Sequence, residues 1–157
     1  MMKKSAPSVR NLPDMIDELL QKPYWVVDFL PFQVPENSSG QFFAVEQFYL
    51  KEAREASLRQ KFTDILLKLN CYYDLLVFPE AGDESVKNPE PETLSEWMSG
   101  EHTALNVLIE SERTLITWSS GSTNLTVFDP TEAILDLIRK LAGANGLFVW
   151  KPPQQEQ

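Results

Sequence analysis

The stretch 51–70, KEAREASLRQKFTDILLKLN, constrains the fold most, because it is long, lacks Gly and Pro, and carries a helical apolar pattern. Its apolar residues follow the spacing i, i+4, i+7, i+8, i+11, which places them on one face of a helix. These residues are Leu58, Phe62, Ile65, Leu66 and Leu69. The stripe must be buried, and we expect residues 51–57 to extend beyond it into water. Strands elsewhere in the chain are the candidates to cover it.

The strand candidates are rich in β-branched and aromatic residues and are separated by turn-forming residues. The strongest is 24–34, YWVVDFLPFQV, and the turn chemistry of 35–40 predicts a hairpin from it to a second strand at 42–50. Further strands are expected at 72–78, 104–109, 115–118, 125–128 and 147–150. The three short segments between 104 and 128 have the spacing of an antiparallel meander.

Three more helices are expected. A short one after residue 10 would present Leu12, Ile16, Leu19 and Leu20 and stop at Pro23, and one near Thr93 would carry Leu94, Trp97 and Met98 and end at Gly100. The segment Asp129-Pro130-Thr131-Glu132 predicts the start of the third, with Asp129 as N-cap and Glu132 completing a capping box. That helix would cover about 130–142 and direct Ile134, Leu137, Ile138 and Leu141 inward.

These elements predict an α+β protein with a single domain over 11–151, frayed residues 1–10 and a tail at 152–157. We expect a mainly antiparallel mixed sheet of about six or seven strands. The helix at 51–70 and the helix at 130–142 would cover it. A chain of 157 residues has room for one core without disulfides.

The net charge of −9 limits the choice of partner. Nucleic acids and anionic membranes require a cationic surface, so the charge argues against both, whereas a basic protein partner is compatible with it. The only cysteine is Cys71, the N-terminal residues lack the apolar core of a signal peptide, and no apolar run is long enough to span a membrane. We therefore expect a cytoplasmic protein without internal disulfides.

The run 79–93, PEAGDESVKNPEPET, is the candidate binding segment. Loops of this length are uncommon unless they are functional or mobile. Its acidic residues are Glu80, Asp83, Glu84, Glu90 and Glu92. Leu67 lies opposite the apolar stripe of the long helix and is either a stray surface leucine or a further contact for a partner.

No metal or cofactor site is expected. One His and one Cys do not make a zinc site, the acidic run lacks the calcium-loop pattern, and the isolated glycines fit no phosphate-binding loop. Cys71 and His102 are the one possible thiol–imidazole pair, and their separation in the sequence leaves their distance open. The turn at 119–122 lacks the nucleophile elbow of serine hydrolases.

Asp28 and Glu46 are the carboxylate pair of interest, because they fall on segments predicted to be neighbouring strands. A paired-carboxylate site would need both in one concave pocket with raised pKa values. A structural role for Asp28, facing a helix end, a backbone donor or solvent, is the interpretation we favour for this residue.

Two functions therefore follow from the sequence. The preferred one is a non-enzymatic cytosolic binding protein that engages a basic protein, in the manner of an immunity protein or inhibitor that neutralises a basic toxin. The alternative is a small hydrolase that uses Asp28 and Glu46.

Overall fold

The computed structural model describes residues 12–31, 41–49, 51–79, 84–99, 104–119 and 124–152, apart from the side chains of residues 42, 43 and 52–55. Within these residues the chain forms five helices and one antiparallel sheet of seven strands in a single α+β domain. The helices are α1 (Leu12–Leu19), α2 (Gln41–Tyr49), α3 (Glu52–Leu69), α4 (Pro91–Ser99) and α5 (Glu132–Ala144). The strands are β1 (Tyr24–Asp28), β2 (Leu76–Pro79), β3 (Val86–Lys87), β4 (Ala104–Ile109), β5 (Thr114–Ser119), β6 (Asn124–Phe128) and β7 (Phe148–Trp150).

The strand order is β3-β2-β4-β5-β6-β1-β7, and neighbouring strands pair in antiparallel fashion. Strands β4, β5 and β6 form the predicted meander, joined between β4 and β5 by a 3-10 turn at Glu110–Glu112. Strand β1 lies between β6 and β7, so both of its edges are paired.

The apolar stripe of α3 is buried in the main core, as its spacing predicts. Its five residues are each at most 3% exposed, and the ring of Phe62 packs on that of Trp118 in β5 with centroids 5.5 Å apart. Helices α4 and α5 flank α3 and add Leu94 and Ile138 to the same core. Ala56 and Ser57 are exposed, as expected for the residues before the stripe.

A smaller core lies on the other face of the sheet, under α1. Ile16 and Leu19 of α1 pack there with Leu108 of β4 and Leu115 of β5. Leu20, predicted to join this face, is 41% exposed. The sheet is thus covered by helices on both faces, with the larger core on the side of α3.

The hairpin predicted from residues 24–34 to 42–50 is wrong, because 41–49 is the helix α2. Strand β1 already pairs with β6 and β7, so it has no free edge for another strand. Half-buried Val45 packs against the main core, whereas Phe48 and Tyr49 are exposed. Strand β1 also ends earlier than predicted, at Asp28, and the Leu30 carbonyl accepts a hydrogen bond from Nε1 of Trp150 at 3.1 Å. The expected turn at 35–40 lies outside the described residues.

The strand predicted at 72–78 begins only at Leu76, because the end of α3 continues as a tight turn. The amides of Tyr72 and Tyr73 both donate to the Leu69 carbonyl, at 2.9 Å each. The segment 79–93, predicted to be a loop, contains β3 and the first turn of α4. Glu80 and Asp83 lie outside the described part of this segment.

The N-cap of α5 is Thr131 and not Asp129. The Thr131 hydroxyl accepts a hydrogen bond from the Ile134 amide at 3.2 Å. Asp129 instead adopts a left-handed conformation with φ 56°, and its amide donates to the Pro23 carbonyl. Aspartate tolerates this conformation better than most residues, and here it allows β6 to end before the helix begins.

Candidate functional site

One edge of the sheet carries a concentration of exposed carboxylates, which we name the acidic edge. It is formed by the segments flanking β2, β3 and β4 together with the outer face of α4. Its residues are Asp74, Glu84, Glu90, Glu92, Glu96 and Glu110, all of them exposed. Among the described residues between 72 and 112, Lys87 is the one basic side chain, and its Nζ lies 3.8 Å from Oδ2 of Asp74. The acidic edge is therefore strongly negative.

Asn88 holds the backbone of the acidic edge in place. It follows β3 in a left-handed conformation with φ 49°, and its amide donates to the Leu75 carbonyl at 2.8 Å. Its Oδ1 accepts from the Leu75 amide at 2.9 Å and from Nδ2 of Asn70 at 2.7 Å. Its Nδ2 donates to Oδ1 of Asp74 at 3.0 Å. One side chain thus joins the end of α3, the start of β2 and the end of β3.

A shallow pocket of about 240 Å³ opens within the acidic edge. It is lined by Asp74, Leu76, Lys87, Glu110 and Ser111. The two carboxylates and the apolar Leu76 side chain suit a lysine or arginine, whose aliphatic stem packs on apolar surface while its charged end meets carboxylates. Lys87 contacts Asp74 only loosely, and both side chains are more than half exposed, so a competing cation displaces little.

Two exposed apolar residues accompany these charges. Tyr72, in the turn after α3, is 66% exposed, and Val86 of β3 is 38% exposed. Aromatic residues with a polar end are enriched in protein interfaces. The acidic edge thus offers apolar contact area in addition to charge.

The opposite edge of the sheet has a different electrostatic character. There the Trp25 ring of β1 lies under two cations, with Cζ of Arg139 5.1 Å and Nζ of Lys151 5.5 Å from the ring centroid. The described residues around β3 and α4 thus carry mainly exposed carboxylates, whereas the β1 side of the sheet also carries exposed cations.

The structure places the predicted binding residues as follows. Glu84, Glu90 and Glu92 are exposed on the acidic edge, and Glu80 and Asp83 lie outside the described residues. Leu67 is half-buried and packs against the main core, so it presents less surface to a partner than its spacing suggests. Its helix face is partly covered, because Thr63 on the same face is 2% exposed with its hydroxyl bonded to the Arg59 carbonyl.

Sequence reasoning missed Asp74, Glu96 and Glu110. Asp74 and Glu110 are far apart in the sequence and meet only because β2 pairs with β4, bringing the segments next to them together. Glu96 could have been found, since it follows Glu92 by one helical turn.

Asp28 is a carboxylate whose pKa departs clearly from its ordinary value. It is 6% exposed at the end of β1. Burial raises the pKa of Asp28 from 3.8 to about 6, the Leu30 and Phe29 amides oppose this rise, and the negative charge of Glu46 adds to it. The Leu30 amide donates to Oδ1 of Asp28 at 3.4 Å. Asp28 is thus a buried acid that titrates close to neutral pH.

The sequence predicted that Glu46 lies on a strand next to that of Asp28. This prediction is wrong, because Glu46 lies on helix α2. It is half-buried on α2, and its negative charge adds to the rise in the pKa of Asp28 less than burial does. The described pocket lies at the acidic edge and borders neither residue.

The thiol–imidazole pair and a metal site, the other candidates considered, are not formed by the described residues. Cys71 is exposed, and its thiol donates to the Leu67 carbonyl at 3.7 Å, while His102 lies outside the described residues. Across the described ranges, no group of three or more His, Cys, Asp or Glu side chains is arranged to hold a metal ion.

In the part of the chain that the structure describes, no helix has the length and apolar character needed to cross a bilayer. Comparisons of the chain with protein-family models, with curated proteins and with solved structures found no match.

Proposed function

We propose that the protein is a non-enzymatic cytosolic binding module whose acidic edge engages a basic protein, in the manner of an immunity protein or inhibitor. The observation that carries this proposal is the concentration of exposed carboxylates around β3 and α4, where Lys87 is the one basic side chain among the described residues between 72 and 112. The net charge of −9 adds a long-range field of the same sign.

Charge would determine mainly how fast and how selectively the partner associates. A surface of one sign accelerates the encounter with an oppositely charged protein, and salt screens this effect within about 10 Å at 0.1 M ionic strength. Binding through the acidic edge should therefore weaken strongly as the salt concentration rises.

Contact energy would come from the apolar residues and from the pocket. Tyr72 provides an exposed ring, and a lysine or arginine of the partner would place its charge between Asp74 and Glu110. Tyrosine and arginine side chains often contribute most of the binding free energy of an interface, whereas each peripheral charge contributes little.

A pair of matched double variants tests the proposal. E92Q/E96Q removes two charges spaced by one turn on α4, and E132Q/D136N removes two exposed charges with the same spacing on α5. Each protein is titrated by NMR with a peptide rich in lysine and arginine, and each is used for affinity capture from the source organism's extract at low and high salt.

We expect the peptide to shift amide resonances around Asp74, Val86 and Glu110, and the captured partner to be basic and lost at high salt. E92Q/E96Q should bind more weakly than wild type, while E132Q/D136N should bind like wild type. Equal binding by both variants, or shifts confined to other surfaces, would refute a role for the acidic edge.

Hydrolysis by the carboxylate pair is the second candidate function. The observation in its favour is that Asp28 is a buried acid with a pKa of about 6 and has Glu46 close to it. Such an acid could donate a proton at neutral pH while the second carboxylate acts as base. Screening with chromogenic ester, phosphate and glycoside substrates would support this only if D28N and E46Q each abolish the turnover seen with wild type.

A further inference from the structure

The end of β1 and helix α2 are held together by apolar packing and are opposed by repulsion between two carboxylates. The Phe29 ring, next to Asp28, packs edge-on against the Tyr49 ring of α2 with centroids 5.3 Å apart. Val45 of α2 packs against the main core. These two contacts hold α2 against the body of the protein.

Glu46 lies between Val45 and Tyr49 in α2, and its carboxylate acts on the buried Asp28. The strands on either side of β1 place Asn124 and Phe148 opposite Asp28, and neither residue ionises. Among the described residues, Glu46 of α2 is the charged group that acts on Asp28, and it lies one helical turn before Tyr49, which packs on Phe29. No described cation offsets the repulsion between the two carboxylates.

We propose that the protonation state of Asp28 controls how firmly α2 docks on the end of β1. With Asp28 neutral, the Phe29–Tyr49 and Val45 contacts hold α2 without opposition. With Asp28 ionised, a buried charge has no counter-ion among the described residues and repels Glu46, so the docked position of α2 loses stability relative to an opened one. Local opening of this kind needs far less free energy than global unfolding.

The pH range of the change follows from the burial of Asp28. Burial raises its pKa to about 6, so the switch between the two states falls near that pH. The proposed change concerns the docking of α2 on the end of β1, so the effect is expected in α2 and not across the sheet.

Hydrogen exchange of the intact protein, followed by mass spectrometry, tests the proposal. Protection factors of the α2 amides, corrected for intrinsic exchange rates, are compared at pH 5 and pH 7.5. The variants are D28N, which is neutral at both values, E46Q, which removes the facing charge, and D17N, which neutralises an exposed acid on α1.

We expect wild type and D17N to lose α2 protection several-fold between pH 5 and pH 7.5, while the amides of β4 and β5 change little. The loss should be absent in D28N and smaller in E46Q. If D28N does not fold, E46Q decides, because a pH effect on α2 undiminished by E46Q overturns the proposal. Equal α2 protection at both pH values in wild type overturns it as well.

Discussion

Nδ2 of Asn70 donates a hydrogen bond to Oδ1 of Asn88 at 2.7 Å, linking the C-terminal end of α3 to the turn after β3. The same Asn88 oxygen accepts from the Leu75 amide, and its Nδ2 reaches Asp74. One left-handed asparagine thus connects the end of α3, the start of β2 and the end of β3 at the acidic edge. Asn88 therefore contributes in two ways, through its left-handed backbone conformation and through its side-chain hydrogen bonds.

Substitution of Asn88 should reveal both properties. We expect Asn88→Ala to lower the free energy of unfolding by about 1–3 kcal/mol, because alanine loses the side-chain bonds and is strained at positive φ. Asn88→Gly keeps the conformation and should lose less. Urea denaturation of the three proteins measures the difference, and equal loss in both variants would show that the conformation contributes nothing.

The contact between Phe62 and Trp118 should be important for stability. Phe62 is fully buried, so Phe62→Ala is expected to cost about 3–5 kcal/mol through lost burial and a cavity. The matched aromatic control is Tyr72→Ala, which removes an exposed ring and should change the free energy of unfolding by less than about 0.5 kcal/mol. Urea denaturation measures both, and Tyr72→Ala should also weaken binding of the lysine- and arginine-rich peptide.

The raised pKa of Asp28 predicts a specific dependence of stability on pH. The folded state retains a proton up to about pH 6 that the unfolded chain releases near 3.8, so the stabilisation is complete below 3.8 and is lost as the pH rises through 6. The loss has an upper limit of about 3 kcal/mol.

The difference between wild type and Asp28→Asn isolates this effect from the other carboxylates. We expect D28N to match wild type near pH 4 and to be more stable than wild type at pH 7.5, when both are unfolded in urea. A constant difference between the two proteins across that range would contradict the assigned pKa.

The hydrogen bond that caps α5 should contribute measurably to stability. Thr131→Ala should lower the free energy of unfolding by about 1 kcal/mol, because the Ile134 amide loses its acceptor. Thr131→Ser retains the hydroxyl and should be nearly neutral. Thermal unfolding distinguishes them, and a full loss in the serine variant would show that the hydroxyl bond is not the cause.

Local patterns predicted most of the fold. The stripe of α3 and the meander of β4, β5 and β6 depend on residues close together in the sequence, and both predictions are confirmed. Segment 41–49 was misassigned because a short apolar run fits either a strand or a helix, and only the occupied edges of β1 decide between them.

The candidate site was harder to predict because it is assembled by topology. Glu84, Glu90 and Glu92 belong to one acidic run, whereas Asp74 and Glu110 join them only through strand pairing. Asp28 and Glu46 were paired for the wrong reason, because a helix and not a strand brings Glu46 near. No period in the sequence encodes such a contact between distant segments.

The position of β1 between β6 and β7 affects how the protein can be made. During synthesis on the ribosome, β1 emerges long before either strand that flanks it, and the bond from Trp150 to Leu30 spans 120 residues. Pairings of this range slow folding, because the entropy lost in closing so long a loop must be paid before the contacts form. A nascent chain stalled before residue 124 would leave both edges of β1 unpaired. The strand would then be available to chaperones or to aggregation.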